Sequence, residues 1–192
     1  FQNLMDVYMD AVLHPNIYHE EKIFQQEGWH YELADGDQPL IYNGVVYNEM
    51  KGVYSSPESM LDRYTQSTLF PDNCYGRDSG GDPAAIPELT YEKFLDFHRT
   101  YYHPSNSYIY LYGDMNMAEK LKWLDEAYLS HYEERPADSA VREQKAFEKP
   151  VDREFFYSIT EEEPEEDATY LSVSTVVGTD LDPRLYVAFQ IL

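Results

Sequence analysis

One acidic residue, Glu49, interrupts an apolar pattern in the stretch IYNGVVYNEMKGVYSS, residues 41–56. Residues three and four apart lie on one face of a helix. That spacing places Glu49 in a stripe of apolar residues, which are Tyr42, Val45, Val46, Met50 and Val53. An unpaired carboxylate is costly to bury, so it usually becomes protonated, forms an ion pair or binds a metal. The pattern therefore predicts a helix that directs a carboxylate toward a core.

Two of these outcomes have specific candidates in the chain. Zinc accepts a carboxylate oxygen and would offset the cost of removing Glu49 from water. A carboxylate in an apolar stripe is, however, more often paired with a basic side chain, and here the candidates are Lys51 and Arg63. The pattern alone leaves the metal and the ion pair open.

The chain offers few further ligands for a metal at Glu49. Its six histidines occur without His-x-x-x-His, His-x-x-Glu-His or His-Glu-x-x-His, the spacings that bring two imidazoles together on a helix. The single cysteine, Cys74, excludes a thiolate zinc cluster and an intrachain disulfide, and it indicates a reducing compartment. His98 shares a helical face with Phe94 and Tyr101, which favours a packed core histidine over a ligand. We expect that this chain alone does not complete a catalytic zinc site.

The charge balance excludes one class of function. The 192 residues carry 36 acidic and 14 basic side chains, a formal net charge of -22. Nucleic-acid binding depends on a basic surface, so we expect no nucleic-acid partner. A negative field would attract cationic ligands such as basic peptides, although a solvated surface is the commoner reason for acidity. No apolar run approaches the ~20 residues of a membrane span, and the stretch FQNLMDVYMDAVLHP lacks the basic and apolar regions that are typical of a signal peptide.

Helices and strands are predicted in mixed order, which favours an α/β (α+β) layered sandwich over an all-helical or all-β fold. Helices are expected at residues 1–13, 40–54, from Ser56 to Leu69, from Thr90 to Tyr101, from Met117 to Tyr132 and from Asp182 onward. Strands are expected up to Leu33 and at residues 107–114, 153–159 and 169–178, with an acidic turn, TEEEPEEDA, at residues 160–168. Both ends carry amphipathic patterns without a polar tail, so we expect a segment of a longer polypeptide.

Four blocks of the sequence resemble a known family in their order and composition. They are FQNLMDVYMDAVLHP, FQQEGWHYEL, IYNGVVYNEMKGVYSSPES and SGGDPAAIPELTYEKFLDFHRTYYHPSNSYIYLYGD, and the resemblance covers nearly all of residues 1–132. The family is the insulinase/pitrilysin clan of zinc metallopeptidases, in its presequence protease and falcilysin branch. The resemblance implies an α/β sandwich unit repeated along a long chain, whose halves close around a peptide.

The resemblance also assigns a role to Glu49. It implies a His-x-x-Glu-His motif upstream of the position of Phe1, which supplies two histidine ligands and the general base. The glutamate of the NEMKG block, here Glu49, is then the third zinc ligand. Some members carry a second carboxylate seven positions earlier, where this chain has Tyr42, so no such acid is transferred. Residues 1–132 would be the later part of the first, zinc-bearing unit, 133–150 a linker, and 151–192 the start of the second unit.

The resemblance therefore implies that the chain is part of a zinc-dependent peptidase that hydrolyses unstructured peptides. Zinc would be bound by the full-length parent, whose remaining segments are the expected partners of this chain; the isolated chain is expected to be inactive and not to retain the ion. The alternative is a non-catalytic structural or peptide-binding member of the same fold. The expected location is the bacterial cytoplasm, or mitochondria or plastids in a eukaryote.

Overall fold

The computed structural model describes residues 1–164 and 166–192, and within these ranges it contains seven α-helices and one two-stranded sheet. The helices are α1 (Gln2–Leu13), α2 (Glu21–Glu27), α3 (Val45–Val53), α4 (Pro57–Leu69), α5 (Tyr91–Tyr101), α6 (Met117–Ala127) and α7 (Pro183–Ile191), and the strands are β1 (His30–Glu32) and β2 (Ile41–Asn43). Contacts divide the chain into one compact unit of residues 1–53 and 80–141 and another of 54–79 and 142–192. The mixed helix and strand content agrees with the predicted mixed α/β class, whereas the layered sandwich stays a prediction.

Helix starts occur where the sequence places capping side chains. Ser56 accepts a hydrogen bond from the Ser59 amide at 3.3 Å at the start of α4. Thr90 accepts one from the Lys93 amide at the start of α5. Asp182 caps α7, whose first residue is a proline. A side-chain acceptor at the N-cap satisfies an amide that has no partner in the helix. The predicted starts of these three helices are confirmed.

The predicted helix at residues 40–54 is too long at its start. Residues 41–43 form β2, which pairs antiparallel with β1 in the register Tyr31 opposite Tyr42. Tyr42 therefore belongs to the strand and does not extend the apolar stripe of α3.

The helix predicted at residues 117–132 is also shorter in the structure. Helix α6 ends at Ala127, and a 3₁₀ turn follows at Leu129–His131.

Three of the predicted strands do not pair with any strand among the described residues. Residues 107–114, 153–159 and 169–178 lack β-structure. In the first of these segments Tyr108 and Tyr110 are exposed, whereas Leu111 packs against the core. A strand is stabilised by hydrogen bonds to a neighbouring strand, and a local sequence pattern does not supply that neighbour.

The predicted acidic turn at residues 160–168 includes Glu165, which lies outside the described residues. Within this turn, the Thr160 amide donates a hydrogen bond to the Glu163 carboxylate at 2.6 Å.

The core of the first unit joins α1 to α6. Met5 from α1 packs with Leu124 and with Tyr128, which follows α6 directly. The Tyr128 hydroxyl donates a hydrogen bond to the Asp6 carboxylate at 2.6 Å. This hydrogen bond, assisted by burial, raises the pKa of Tyr128 to about 12. One buried tyrosine thus fixes the two helices by both apolar contact and a charge-assisted hydrogen bond.

A second apolar cluster in the same unit joins α2 to α5. Phe24 in α2 and Leu95 in α5 are buried, and the rings of Phe24 and Phe94 are 5.3 Å apart. Ile86, in the 3₁₀ turn before α5, is buried as well. This cluster fixes the end of α2, from which the chain continues into β1.

The second unit contains α4, α7 and long irregular segments. The rings of Tyr64 in α4 and Phe155 stack at 3.9 Å. The side chain of Gln144 accepts a hydrogen bond from the Asp72 amide at 3.0 Å. All residues of α7 are exposed although most of them are apolar. No helix among the described residues has both the length and the apolar character needed to cross a bilayer.

Replacing Leu124 tests the core between α1 and α6. Leu124 is 2% exposed, so Leu124→Ala should lower the free energy of unfolding by about 2–5 kcal/mol. Leu121 lies in the same helix but is 54% exposed, and Leu121→Ala should cost less than about 1 kcal/mol. Urea denaturation followed by circular dichroism measures both values, and equal losses would contradict this core.

The contact between Tyr128 and Asp6 predicts a stability change at alkaline pH. The pKa of Tyr128 is raised from 10.0 to about 12 on folding, so its stabilisation is complete below pH 10 and is lost as pH rises toward 12. Near neutral pH, Tyr128→Phe should lower the free energy of unfolding by about 1 kcal/mol. The difference between wild type and this variant should then shrink across the alkaline range.

The matched control for this titration is Tyr108→Phe, which removes a hydroxyl from an exposed side chain. Denaturant curves for the three proteins at each pH measure the effect. A difference between wild type and Tyr128→Phe that stays constant from pH 10 to 12 would refute the prediction.

Candidate functional site

The helix that carries Glu49 begins at a side-chain network centred on Asn43. Asn43 Oδ1 accepts hydrogen bonds from the Gly44 amide at 2.8 Å and from Asn48 Nδ2 at 2.5 Å. Asn43 Nδ2 donates to the carboxylate of Glu32 in β1. The network therefore joins both strands to the first turns of α3. One of its members, Asn48, directly precedes Glu49 in the sequence.

A close backbone approach fixes the start of α3. Gly44 has φ +152°, a region that side chains disfavour, and a Cβ at this position would collide with the Gly28 carbonyl. The same carbonyl accepts a hydrogen bond from the Tyr47 amide at 3.3 Å. Only glycine fits at position 44, and the approach ties α3 to the end of α2.

Met50 anchors the opposite end of the same helix. It is buried, and its sulfur lies so close to Gly80 that a Cβ there would collide with it. Met50 is the one member of the predicted apolar stripe that is buried among the described residues. The helix is thus anchored at Gly44 and at Met50, on either side of Glu49.

Glu49 is exposed, so the prediction that its carboxylate points into a core is wrong for this chain. The neighbouring stripe residues Val45 and Val53 are exposed too, with Val45 at 52%. Periodicity identifies which residues share a helix face, but an element that packs on that face is needed to bury them. Glu49 therefore lies on an uncovered face together with apolar side chains.

The ion-pair alternative for Glu49 has no support in the described part of the chain. No ion pair of Glu49 occurs within residues 1–164 and 166–192. Lys51 is two positions away, a spacing that does not bring helix side chains together. Arg63, the other candidate, lies 4.6 Å from the ring centre of Tyr54 and donates a hydrogen bond to its hydroxyl.

The described residues do not fit a complete zinc site. Across residues 1–164 and 166–192, no group of three or more His, Cys, Asp or Glu side chains is arranged to hold a metal ion. Catalytic zinc sites use three protein ligands. Glu49 can contribute one carboxylate oxygen, and any further ligands have to come from outside these residues.

His98 is a packed core histidine, as the sequence predicts. Its Nε2 lies 2.9 Å from the Val12 carbonyl, and its Nδ1 lies 2.6 Å from the Tyr18 hydroxyl. A carbonyl only accepts, so Nε2 carries a proton, and in the neutral ring Nδ1 then accepts from the Tyr18 hydroxyl. Both ring nitrogens are engaged, and the stacked ring of Tyr102 covers the imidazole. His98 would have to break these contacts to bind a metal.

Two features of this unit were not predicted from the sequence. The positioning role of Asn43 and Gly44 was not predicted, although Asn-Gly is a strong turn signal. An aromatic cavity of about 360 Å³ between α2, β1 and the start of α5 was missed as well. Trp29 and Tyr31 alternate in the segment predicted as a strand up to Leu33, and this alternation of aromatic residues was the available signal.

Comparison with known families identifies the class of this chain. The profile described as the peptidase M16 inactive domain matches residues 88–192, more than half of the sequence. The chain therefore belongs to the peptidase M16 family, the insulinase family. This membership confirms the resemblance predicted from the sequence blocks.

Individual relatives indicate which branch of the peptidase M16 family this chain resembles. Protein HypA of Clostridium perfringens is 51% identical over all 192 residues. Presequence protease 1 of Arabidopsis thaliana is 52% identical over 79% of the chain, and the mitochondrial presequence protease of Danio rerio is 44% identical over 78%. The chain covers 20%, 14% and 15% of these three proteins. It thus resembles a portion of presequence proteases.

Replacing Gly44 tests how the site is positioned. Gly44→Ala should lower the free energy of unfolding by more than about 2 kcal/mol, because it adds a clash to a disfavoured φ. Gly36 has open space around its Cβ position, so Gly36→Ala should change stability by less than about 0.5 kcal/mol. Thermal and urea unfolding measure both. A neutral Gly44→Ala would mean that α3 does not depend on this approach.

Proposed function

We propose that this chain is part of a zinc-dependent peptidase that hydrolyses unstructured peptides, and that Glu49 supplies one oxygen ligand to the zinc. The observation that carries the proposal is the exposure of Glu49 on the apolar, uncovered face of α3. A carboxylate among exposed valines is expected where another segment packs on that face and brings the remaining ligands. The anchors at Gly44 and Met50 would hold the carboxylate in place for them.

Family membership supports the proposed reaction. Two of the relatives are presequence proteases by name, and the match to one of them reaches 52% identity. Mitochondrial targeting sequences are rich in arginine and poor in acidic residues. A chain with a net charge of -22 complements such peptides. The proposed substrates are therefore unstructured peptides, basic ones among them.

The proposed roles within the site are limited to what Glu49 can do. A bound zinc ion would polarise the scissile carbonyl and lower the pKa of its water. Glu49 would hold and orient the ion through one carboxylate oxygen and would not carry the proton. By the family resemblance, the other two ligands and the general base belong to a His-x-x-Glu-His motif upstream of Phe1.

The proposal extends to the fold and location of the complete protein. The segments 107–114, 153–159 and 169–178 would complete a layered α/β sandwich by pairing with strands beyond this chain. Residues 1–132 would belong to the first unit, 133–150 to a linker and 151–192 to the second unit. The relative from Clostridium, a bacterium, supports a cytoplasmic location, whereas the plant and fish relatives are chloroplast or mitochondrial proteins by name.

A non-catalytic structural or peptide-binding function is the second candidate. It is favoured by the description of the matched profile as an inactive domain over residues 88–192. Glu49 precedes that region, so the description does not cover the proposed ligand. The two candidates therefore differ in whether Glu49 matters for zinc content and cleavage.

Replacing Glu49 separates the candidates. In the full-length protein, Glu49→Gln should lower the zinc content and reduce peptide cleavage by about 100-fold or more, because a ligand is lost while the volume is kept. Metal analysis by mass spectrometry and hydrolysis of a fluorogenic peptide measure the two effects. Glu133→Gln, which removes an exposed carboxylate outside the site, should leave both unchanged.

Two outcomes would contradict the proposal. Zinc content and cleavage that are unchanged in Glu49→Gln would remove Glu49 as a ligand. A wild-type protein that binds peptides but neither retains zinc nor cleaves them would support the non-catalytic function.

A further inference from the structure

The cavity between α2, β1 and the start of α5 combines aromatic walls with carboxylates. Its volume is about 360 Å³, near the lower end of the range for ligand pockets. Its lining includes four aromatic side chains and two glutamates, which are Phe24, Trp29, Tyr31, Tyr91, Glu21 and Glu92. All of these residues belong to the first compact unit.

The aromatic walls are held by contacts that use their polar atoms. The Trp29 indole N–H donates to the Leu89 carbonyl at 2.9 Å, and the Tyr91 hydroxyl donates to the Ile17 carbonyl. The Trp29 and Tyr31 rings meet edge to face at 5.4 Å. With their donors engaged elsewhere, Trp29 and Tyr91 offer the cavity mainly their carbon surfaces.

The charge of the lining is negative. Glu21 and Glu92 are exposed in the first turns of α2 and α5, and among the described residues no lysine or arginine lines the cavity. His30 also lines it, with its Nδ1 2.8 Å from the Gln25 carbonyl. Lys93, next to Glu92, has its ammonium group 3.2 Å from the Glu88 carbonyl. Aromatic faces carry negative potential, so the rings and the two carboxylates attract the same kind of ligand.

We propose that this cavity binds the cationic side chain of a basic peptide, with arginine preferred over lysine. The planar guanidinium stacks on aromatic faces and can also donate hydrogen bonds to carboxylates, whereas an ammonium is more strongly hydrated. The inference deepens the proposed function, because it gives the peptide substrate a second contact away from Glu49. It remains measurable without cleavage.

The test compares two dye-labelled peptides, Gly-Ser-Gly-Arg-Gly-Ser-Gly and the same peptide with citrulline in place of arginine. Citrulline keeps the shape of arginine and removes its charge. Fluorescence anisotropy with the full-length protein, in the presence of a chelator to prevent cleavage, gives the two dissociation constants. The arginine peptide should bind about fivefold more tightly, the size expected when one partly exposed cation contacts aromatic faces and carboxylates that act together.

Charge-matched variants distinguish the cavity from the general negative field. The double variant Glu21→Gln and Glu92→Gln should bring the arginine peptide close to the citrulline value and leave citrulline binding unchanged. The control, Glu133→Gln with Glu134→Gln, removes the same charge at exposed positions outside the cavity and should change arginine binding less than about twofold. Equal weakening in both double variants would overturn the inference.

Ring variants test the aromatic contribution. Tyr31 is 60% exposed, so Tyr31→Leu should fold normally and weaken only the arginine peptide, while Tyr31→Phe should retain its binding. An arginine preference that persists in Tyr31→Leu and in the Glu21 and Glu92 double variant would exclude this cavity while leaving the proposed peptidase function intact. Loss of the preference in those variants, in a protein that never cleaves peptides, would support the cavity and refute the peptidase function.

Discussion

The position of Glu49 depends on the close approach of two backbone segments at Gly28 and Gly44. Gly44 adopts φ +152° against the Gly28 carbonyl, and that carbonyl also accepts from the Tyr47 amide. The approach ties the end of α2 to the first turn of α3, while Asn43 joins the same turn to β1 and β2. The backbone position of Glu49 therefore depends on these contacts and not on its carboxylate, which has no ion pair among the described residues.

The uncovered face around Glu49 is one of several apolar surfaces that the chain leaves exposed. Leu171 and Val173 are 92% and 98% exposed in a segment whose composition is that of a strand, and the apolar residues of α7 are exposed as well. Burying apolar area contributes about 25 cal/mol per Å², and extended exposed patches mark sites where other segments or proteins pack. In the proposed function, these surfaces receive the rest of the peptidase, and the face of α3 is the one that would also complete a metal site.

The sequence was most informative where the determinants are local. Ser56, Thr90 and Asp182 each cap the helix that follows within three residues, so these starts follow from the sequence alone. The segments 107–114, 153–159 and 169–178 have strand composition but no partner in the described chain, and pairing is a property of two segments. For the same reason the 3.6-residue period placed Glu49 on an apolar face correctly but could not tell that the face is uncovered. The prediction that Glu49 is a zinc ligand came from the family resemblance, because a resemblance brings in information about segments outside this chain and periodicity does not.

Negative charge in this chain would act on a basic peptide in two ways. The net charge would attract the peptide at long range, and the cavity would recognise one of its side chains at short range. The net charge of -22 attracts any cationic segment, but at physiological salt this attraction fades over about 8 Å. In the proposed site, a cavity of about 360 Å³ would admit one cationic side chain, and its contact with Trp29 and Tyr31 would be much shorter than this screening length. In the proposed function, the field would therefore raise the encounter rate of basic peptides without choosing among them, whereas the cavity would distinguish arginine from a neutral side chain of the same shape. A cationic side chain bound in this cavity would immobilise one point of an otherwise unstructured peptide. The peptide would then lose less entropy when another part of its chain binds near Glu49.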